Sequence, residues 1–486
     1  MSKNLWSGIY IYPGLAISKD LESLKMPKKE YFIKKSHINA SVEDVFQWHS
    51  RPGALERLAP PYDPIWVVDR RGGIRKGATA TLKIKAGPFH LKWIAEHTDY
   101  EENRLFRDRQ KKGPFAFWRH THRFAPDTDE SCFMEDQIEY ALPFNPLSRP
   151  FIPVIWQKLE RIFHYRHITL AYDLALHNLR RAEKPLNIVI AGASGLIGSA
   201  LIPFLTTGGH QVTRLVRKTP SPGANEVFWD PLNGRLEPSE LKNPDVIINL
   251  CGENIGQGRW TVAKKRQIVE SRTKSTALIA ETIAQLKQPP EVLINASAIG
   301  YYGDRGDQSI TEEDSSGDAF ISDVCRQWEN AAAPAAANGI RVVFLRIGIV
   351  LSPLGATLAR MLLPFKSGLG GKFGSGGQFM SPIGIDDVIG AIFHAINENR
   401  LQGPVNVVAP NPVTNLEFVQ TLGRVLKRPA FFSVPETAIK VMFGEMGREL
   451  LLAGTRVYPQ KLLETGYKFR NPDLEGILRH LLGREK

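Results

Sequence analysis

The sequence predicts an α/β fold with a doubly wound parallel sheet, preceded by a domain of the α+β class. Two observations carry this prediction. Strand-like segments dominate residues 31–142 before one long helical segment, whereas strands and helices alternate from residue 187 onward. The polar segment RRAEKP, residues 181–186, ends in proline and is predicted to be the linker between the two regions. With 486 residues, the chain is long enough for two or three domains of ordinary size.

The first region, residues 30–180, is predicted to form a sheet followed by a helix. Its strand-like segments are YFIKKSHI (31–38), ATLKIKA (80–86), FHLKWIAEH (89–97), FAFWRHTHRF (115–124) and SCFMEDQIEYAL (131–142). Segment 154–179 then places most of its apolar residues on one helical face. A curved antiparallel sheet that closes around one long C-terminal helix is the helix-grip arrangement. Residues 1–29 lack the features of a signal peptide and are predicted to be an N-terminal extension.

Composition restricts the classes of function. The net charge is +12, but the sequence contains no long basic run interleaved with aromatic residues, so we expect no nucleic-acid partner. It also contains no window of about 18 uninterrupted apolar residues, which predicts no membrane span. The three cysteines, Cys132, Cys251 and Cys325, are too few and too far apart for a disulfide framework, which favours a reducing compartment such as the cytoplasm.

The strongest motif is NIVIAGASGLIGSAL, residues 187–201. It places a strand before three spaced glycines and a helix after them. The first glycine permits a tight turn, the second lets the backbone approach a pyrophosphate, and the third lets helix and strand pack closely. The helix N-terminus then faces the phosphates. This context predicts a Rossmann-type dinucleotide site with a cradle formed by Gly192, Ala193, Ser194, Gly195, Leu196, Ile197 and Gly198.

The second predicted strand indicates which dinucleotide is bound. It ends at Arg217, where an acidic residue would bind a ribose 2′-hydroxyl, and a guanidinium is a good partner for a 2′-phosphate. NADP is therefore favoured over NAD; the alternative is that Arg217 is an ordinary exposed cation. Further cofactor-binding positions are Asp230, after a third short strand, and Leu250, Cys251 and Gly252, at the end of a buried strand. Cys251 is expected to be a packing residue, because a buried thiol is usually inert.

A characteristic set of sequence blocks extends over residues 187–485. The blocks are GASGLIG (192–198), NLCGENIGQGRWT (249–261), SRTKST (271–276), SAIGYYGDRGD (297–307), LRIGIVLSPLG (345–355), GSGGQFMSPIGIDDV (374–388) and a C-terminal stretch from VNVVAPNPVTNLEF to KLLETGYKF. Together they resemble an atypical subgroup of the extended short-chain dehydrogenases, the NAD-dependent epimerase/dehydratase-like family. Residues 30–180 resemble the START/polyketide-cyclase-like (SRPBCC) superfamily in element order and in GPFAFWRHTHRF.

These resemblances imply an organisation and a range of functions. An NADP-binding domain is expected over residues 187–400, and a C-terminal, epimerase-associated lobe over 401–486. The N-terminal domain is expected to bind an apolar ligand between sheet and helix, the alternative being a packed core without a ligand. Some relatives are labelled cell-division inhibitors, so a protein partner is a further expectation.

Active short-chain dehydrogenases use a serine, a tyrosine and a lysine in proton transfer. The resemblance implies that Ser297 is the serine. Anchoring the segment FISDVCRQWE on Glu329 places the tyrosine and lysine positions at Ile321 and Cys325, and neither side chain can transfer a proton as required. The segment is predicted to be a helix without tyrosine or lysine.

A replacement acid is therefore expected elsewhere. Tyr301 and Tyr302 follow the predicted strand that carries Ser297, and they complete the predicted catalytic set of Ser297, Tyr301 and Tyr302. The alternative for the tyrosines is aromatic packing over the cofactor. Glu312 and Glu313 are further candidate acids, with a solvated loop or a helix N-terminus as the alternative.

Four histidines and two aspartates are candidate metal ligands. His120 and His122 share one face of a strand, and His164 and His167 lie one helical turn apart, but no acidic or cysteine ligand joins them in either motif. The sequence therefore predicts no metal site, and His122 is expected to hold the polar head group of a ligand. A second candidate cation site, Asp386 with Asp387, is assigned instead to helix capping.

The sequence as a whole predicts an NADP(H)-dependent oxidoreductase or epimerase-like protein that acts on an unidentified small carbonyl or hydroxyl compound, for which an apolar character is one expectation. The missing tyrosine and lysine leave a second hypothesis open, an NADP-binding regulator with little catalysis that acts through a protein partner. A lipid-binding or carrier protein is a third hypothesis, which would rest on the N-terminal domain alone.

Overall fold

The computed structural model describes residues 28–86, 89–180 and 184–485. Most of the predicted N-terminal extension, the first half of the predicted linker, and the Gly-Pro pair at 87–88 lie outside these residues. The chain forms two compact units. Unit 1 contains the described residues up to Ile38 together with Trp66–Phe163, and unit 2 contains Asn39–Ile65 together with the described residues from His164 onward.

Unit 1 is built on a seven-stranded antiparallel sheet with the strand order β1-β7-β6-β5-β4-β3-β2. The strands are β1 (Glu30–Ile38), β2 (Ile65–Arg71), β3 (Thr79–Ala86), β4 (Phe89–Glu101), β5 (Leu105–Lys112), β6 (Phe117–Thr128) and β7 (Ser131–Ala141). The long helix Ile152–His177 begins in this unit. Its side chains Leu159 and Phe163 pack against Phe32, Ile138 and Tyr140 of the sheet. The predicted helix-grip arrangement is confirmed.

Strands β2 and β5 did not emerge from the sequence. β2 is IWVVDRR and β5 is LFRDRQKK, and most of their side chains remain at least partly exposed. A strand that is partly exposed to solvent on both faces can carry charged residues on both, so the alternation of apolar and polar residues is lost. The strands that the sequence does indicate in this unit, such as β7, bury one face in the core.

Unit 2 contains a seven-stranded parallel sheet with the order β10-β9-β8-β11-β12-β14-β19. Its strands are β8 (Asn187–Ala191), β9 (Gln211–Val216), β10 (Glu226–Phe228), β11 (Val246–Asn249), β12 (Val292–Ala298), β14 (Arg341–Ile347) and β19 (Gly403–Val407). Short strands β13 (Ser309–Ile310), β15 (Ile349–Leu351), β16 (Gly371–Phe373), β17 (Phe379–Met380), β18 (Pro382–Gly384), β20 (Val413–Thr414), β21 (Phe432–Val434) and β22 (Arg456–Val457) form four two-stranded pairings.

Helices cover both faces of this parallel sheet. In chain order, the helices are α1 (Val42–Ser50), α2 (Ala54–Arg57), α3 (Ile152–His177), α4 (Leu196–Thr207), α5 (Val262–Ala284), α6 (Phe320–Asn330), α7 (Ala333–Ala337), α8 (Ala356–Lys366), α9 (Ile385–Asn397), α10 (Asn415–Leu426), α11 (Glu436–Phe443), α12 (Glu445–Gly447), α13 (Gln460–Glu464) and α14 (Leu474–Leu481). Among the described residues, no helix has both the length and the apolar character that crossing a membrane requires.

Strand β8, in the interior of the sheet, shows why the sheet is doubly wound. Ile188 and Ile190 belong to one apolar cluster and Val189 and Ala191 to another, because successive side chains of a strand point to opposite faces. All four are buried, which accounts for the continuous apolar run in the sequence. The α/β class with a doubly wound parallel sheet is confirmed. Parallel strands present their carboxyl ends at one edge of the sheet, and the candidate site lies there.

Candidate functional site

The turn between β8 and α4 has the close backbone packing that the glycine spacing predicts. Gly192 has a left-handed φ of +82°, and a Cβ there would lie 2.7 Å from the carbonyl carbon of Leu250. A Cβ on Gly198 would lie 2.5 Å from the carbonyl oxygen of Gly192, so no larger side chain fits without moving the helix. The first and third glycines therefore allow the turn and the close approach of helix to strand.

Gly195 differs from the other two glycines because it is exposed to solvent and less tightly packed. The nearest atom to a Cβ at this position would be 3.3 Å away, and Ser194 beside it is exposed. Gly195 precedes α4 without a side-chain cap, which leaves amide groups of the first helical turn without a side-chain acceptor. Such a helix N-terminus is suited to an anion such as a phosphate. The other cradle residues, Ala193, Leu196 and Ile197, are half-buried along the same turn.

Three of the predicted cofactor residues lie close together at this edge of the sheet. Arg217 follows the end of β9 and is exposed. Burial raises the pKa of the Cys251 thiol to about 12, and the positive charge of Arg217 opposes that rise. The thiol is therefore protonated near neutral pH, as expected of a packing residue. Asp230 accepts hydrogen bonds from the Asn233 side chain at 2.7 Å and from the backbone of Leu232 at 3.0 Å, so its carboxylate stabilises its own turn.

A buried polar network holds the backbone under this site. Nδ2 of Asn249 donates to Oγ1 of Thr276 at 2.9 Å and to Oδ1 of Asn295 at 2.8 Å, while Oδ1 of Asn249 accepts from the backbone amide of Cys251. Trp328 donates its indole N–H to Thr276. Because every one of these side chains is buried, the network fixes the course of residues 249–251 at the end of β11. No local motif in the sequence indicates this network, because its members are distant along the chain.

Ser297, the predicted catalytic serine, is buried at the end of β12. Its hydroxyl donates a hydrogen bond of 2.7 Å to Oε1 of Glu329. The same carboxylate accepts two hydrogen bonds of 2.9 Å from Arg346, a bidentate pair. The serine is thus held by an ion pair that the sequence analysis missed, because Arg346 lies on the neighbouring strand β14 and not within a local motif.

The two adjacent tyrosines have different surroundings. Tyr302 is completely buried, and its hydroxyl donates to Oδ1 of Asn406 at 2.7 Å and accepts from Nη1 of Arg346 at 3.0 Å. Burial raises the pKa of Tyr302 to about 12, although Arg346 opposes the rise. Tyr301 is half-buried, and its ring centre lies 3.4 Å from the guanidinium carbon of Arg346. Of the two hydroxyls, only that of Tyr302 is engaged in this internal network.

The positions that a tyrosine and a lysine would occupy lie on α6, which the sequence predicted as a helix. Ile321 and Cys325 are both buried, and Sγ of Cys325 contacts the carbonyl oxygen of Ala298 at 3.7 Å. Burial lowers the pKa of the nearby Arg272 to about 10, and Cys325 is among the groups that oppose this shift. A Cβ on Gly252 would meet the guanidinium carbon of Arg272 at 3.0 Å. The guanidinium of Arg272 therefore lies near Cys325, the residue that stands at the usual lysine position.

The two alternative acids, Glu312 and Glu313, also have different surroundings. Glu312 is buried, and its Oε1 accepts hydrogen bonds from the backbone amides of Asn406 at 2.9 Å and Lys461 at 3.3 Å. Burial raises the pKa of Glu312. Glu313 is exposed. Glu312 thus connects segments of the chain at the edge of β19, and Glu313 corresponds to the solvated alternative.

The assignment of Asp386 and Asp387 to helix capping is wrong. Helix α9 begins after Gly384 without a side-chain cap. Asp387 accepts hydrogen bonds from the backbone amides of Arg470 at 2.7 Å and Asn471 at 3.2 Å, and burial raises its pKa to about 6. The signal was missed because the partners of both carboxylates come from distant segments of the chain.

Asp386 belongs to a buried charge cluster within unit 2, which we call the arginine cluster: Arg57, Asp173, Asp386, Arg470 and His480. Arg57 donates to Asp386 at 2.6 Å and binds both oxygens of Asp173, at 2.7 and 2.8 Å. His480 lies 3.0 Å from the second oxygen of Asp386. Two carboxylates are balanced here by two permanently charged guanidiniums.

A second buried polar cluster lies in unit 1, which we call the histidine cluster: Asp108, His120, His122 and Asp136. Nε2 of His120 lies 3.1 Å from Asp136, and its Nδ1 lies 3.5 Å from Asp108. Burial alone would lower the pKa of His120, but hydrogen bonds with the two carboxylates raise it to about 9. The histidine motif itself contains no acidic residue, and the two carboxylates come from the adjacent strands β5 and β7.

Comparison with known protein families agrees with both halves of this architecture. Residues 188–408 match the NAD dependent epimerase/dehydratase family, and residues 38–162 match Polyketide cyclase / dehydrase and lipid transport. Residues 434–481 match a domain of unknown function, DUF1731. The fold and the glycine turn therefore define a dinucleotide-binding Rossmann-type protein with an N-terminal helix-grip domain.

Individual relatives make the assignment more specific. An Epimerase family protein of Mycobacterium bovis is 43% identical over 284 residues, 58% of this chain and 93% of the relative. The human Epimerase family protein SDR39U1 is 37% identical over 300 residues, 61% of this chain and all of the relative. The chain belongs to this epimerase family, as the sequence blocks predicted.

Two solved structures resemble the molecule over different spans. A nucleoside-diphosphate sugar epimerase from Corynebacterium glutamicum covers 94% of this chain and 91% of its own length, with 34% identity and a TM-score of 0.77. Human SDR39U1, solved with NADPH, covers 61% of this chain and 99% of its own, with 36% identity and a TM-score of 0.57.

Proposed function

We propose that unit 2 binds NADP(H) and that the protein is a cytoplasmic NADP(H)-dependent oxidoreductase or epimerase-like enzyme. Its substrate is a small carbonyl or hydroxyl compound. The observation that carries the proposal is the turn at Gly192–Gly198, where the first and third glycines pack against backbone and Gly195 leaves an uncapped helix N-terminus open. The human relative solved with NADPH supports the same cofactor.

The preference for NADP over NAD rests on Arg217. This exposed cation follows the second strand of the sheet and acts electrostatically on Cys251, which follows β11. A guanidinium at that strand end matches a ribose 2′-phosphate, whereas no acidic side chain stands there to bind a 2′-hydroxyl. The Asp230 carboxylate already accepts hydrogen bonds from Leu232 and Asn233 of its own turn. Arg217 is therefore the residue proposed to distinguish the two nucleotides.

Nicotinamide fluorescence tests this assignment. We expect tight NADPH binding and weak NADH binding by the intact chain. Arg217→Ala should weaken NADPH binding at least about 10-fold, the loss of roughly one charge-assisted contact, and leave NADH binding unchanged. Lys242→Ala removes the same charge shortly before β11 begins, at the opposite edge of the sheet, and should change neither affinity. Equal losses for both nucleotides on Arg217→Ala would contradict the assignment.

Tyr301 is the proposed proton donor. It is half-buried, and its ring centre lies 3.4 Å from the guanidinium carbon of Arg346, which holds the ring in place beneath the predicted site. Tyr302 and Ser297 are held by the same Arg346–Glu329 pair and orient this segment. Bound NADPH would supply the hydride. Arg272, beside Gly252, provides the positive charge that the missing lysine would have provided.

Turnover distinguishes this enzyme from the alternative, a regulator that binds NADP and acts through a protein partner. The buried Ile321 and Cys325 at the usual tyrosine and lysine positions favour the regulator. Protein-bound NADPH should be oxidised by members of a carbonyl panel, and Tyr301→Phe should lower kcat by at least about 100-fold with little effect on NADPH affinity. Binding without turnover across a broad panel would support the regulator.

The N-terminal domain is proposed to bind an apolar ligand. Trp93, Phe115 and Trp118 form a half-buried aromatic group on the sheet, with ring centres 4.8–5.7 Å apart. Aromatic surface that is only partly covered by protein is suited to an apolar partner. The match to Polyketide cyclase / dehydrase and lipid transport supports this role. Quenching of tryptophan fluorescence by a fatty-acid series would test it, with Trp118→Ala expected to reduce the response.

A further inference from the structure

We propose that Asp108, His120 and His122 of unit 1 bind a divalent transition-metal ion. The three side chains lie on two hydrogen-bonded strands, β5 and β6, and Asp108 is paired directly with His120. Each residue offers one ligand atom, and the three atoms lie within 4.8 Å of one another. Among the residues that the structure describes, this is the one group of three or more such side chains with that geometry.

Asp136 gives the histidines the orientation that metal ligands require. It lies on β7, opposite His122, and its Oδ1 is 2.5 Å from Nδ1 of His122 and 3.1 Å from Nε2 of His120. A histidine that binds a metal through one ring nitrogen usually donates the other N–H to a carboxylate, which fixes the ring and its tautomer. Here a single carboxylate can do this for both rings. The nitrogens assigned to the metal are then Nδ1 of His120 and Nε2 of His122.

The surroundings of Asp108 and Asp136 favour the presence of positive charge beside them. His120, His122 and Asp136 are 5%, 7% and 1% exposed. Phe106 stacks on His122 with ring centres 4.1 Å apart, and Phe163 meets the edge of His120 at 5.3 Å. Two carboxylates in such an apolar environment are costly unless positive charge accompanies them. A divalent ion balances both carboxylates while the imidazoles remain neutral.

The ligand set indicates which ions fit. Two imidazoles and one carboxylate are ligands for zinc and for ferrous iron, whereas calcium and magnesium prefer oxygen alone. Ligand bonds of about 2.0–2.2 Å place tetrahedral ligand atoms about 3.4 Å apart. The three ligand atoms lie within 4.8 Å of one another, so small side-chain rotations can bring them to that spacing. A three-ligand site leaves one position for water or for an oxygen of a ligand.

Cobalt titration of the chelator-treated full chain tests the proposal, because Co²⁺ bound by nitrogen and oxygen ligands has visible absorption bands. We expect one equivalent of Co²⁺ to bind and Zn²⁺ to displace it. Asp108→Asn, which keeps the shape of the side chain, should weaken binding at least about 100-fold, and His122→Ala should abolish the bands. Asp136→Asn should weaken binding by about 10–100-fold, as expected for a carboxylate that orients the ligands.

His37→Ala is the matched control. His37 also pairs with an aspartate in unit 1, Asp127 at 3.0 Å, but both side chains are exposed, so the variant should bind Co²⁺ like the unaltered chain. Circular dichroism establishes that each variant is folded, and Asp108→Asn decides the test if His122→Ala does not fold. The proposal is wrong if the unaltered chain binds Co²⁺ no more tightly than Asp108→Asn, or if His37→Ala loses as much affinity as Asp108→Asn.

Discussion

Each compact unit contains a histidine with buried ring atoms, and the two have opposite charge states. His120 in unit 1 lies between Asp108 and Asp136, which outweigh burial and raise its pKa to about 9. His177 in unit 2 lies at the end of α3 with its ring 4.5 Å from that of Phe204, and burial lowers its pKa to about 3. Burial penalises the charged form of both, so the difference comes from the neighbours. Of these two histidines, only His120 has neighbours that favour a positive charge on the ring.

The arginine cluster completes the comparison. Unit 2 also contains two buried carboxylates, Asp173 and Asp386, but Arg57 contacts both of them. An arginine cannot lose its charge under ordinary conditions, so the positive charge of this cluster is present at every accessible pH. In the histidine cluster the positive charge comes instead from His120, whose pKa is raised to about 9, or from the proposed metal ion. The carboxylates of the arginine cluster are therefore paired with permanent guanidinium charges. The carboxylates of the histidine cluster are paired with a cation that can be exchanged.

The largest effect is expected from breaking the arginine cluster. Arg57→Ala leaves Asp173 and Asp386 buried without their shared partner and should lower the free energy of unfolding by roughly 3–5 kcal/mol. Urea denaturation followed by circular dichroism measures this loss. A loss below about 1 kcal/mol would show that water or other groups compensate these carboxylates, and the proposed contrast between the units would fail.

A smaller effect, which depends on pH, should follow from His177. The unfolded chain binds a proton at this histidine below about pH 6.5, whereas the folded chain does not until about pH 3, so stability falls as the pH drops through this window. Between pH 6.5 and 5 the loss is about 2 kcal/mol. His210, Arg51 and Arg57 face this ring and add to the penalty on its protonated form. His177→Phe should lose correspondingly less stability over the same range.

Urea denaturation of His177→Phe and the unaltered chain at a series of pH values measures this difference. Parallel stability curves for the two proteins would mean that His177 is solvated in the folded chain. The contrast with His120 would then reflect exposure and not the identity of the neighbours.

The smallest effects are expected from ion pairs on the surface of each unit. Arg400 bridges Glu398 at 2.7 Å in unit 2, and its side chain is 67% exposed. His37 pairs with Asp127 in unit 1, with both side chains about two-fifths exposed. Arg400→Ala and His37→Ala should each leave the free energy of unfolding nearly unchanged at neutral pH, because solvent screens exposed pairs. A larger loss in the same urea assay would undermine the use of burial to rank these pairs.

The sequence was most informative where the chemistry is local. The spacing of Gly192, Gly195 and Gly198 predicted the turn correctly because the tight contacts that exclude a side chain at Gly198 involve residues five and six positions earlier in the chain. The alternation of strands and helices after residue 187 likewise predicted the doubly wound sheet. At Gly198 the physical constraint therefore falls within a short window of sequence.

Interactions between distant segments could not be predicted in this way. The acidic partners of His120 lie on neighbouring strands, and Asp136 is 16 residues away, so only the strand register brings them together. Arg57 and Asp386 are separated by 329 positions. The same limitation explains why Arg346, the partner of Glu329, was missed. Strands β2 and β5 were not predicted for a different reason. Their charged residues obscure the alternation of apolar and polar side chains that marks a half-buried strand.

The crowded glycine turn also limits how this chain can be engineered. Replacing a helical glycine with alanine commonly stabilises a protein by about 1 kcal/mol, and such changes are an obvious first choice in a thermostabilisation campaign. Gly198 lies within α4 and would tempt such a substitution, but a methyl group there would lie 2.5 Å from a carbonyl oxygen. A mutational library should therefore find this helix start among the least tolerant segments, and gains in heat resistance must be sought in other helices.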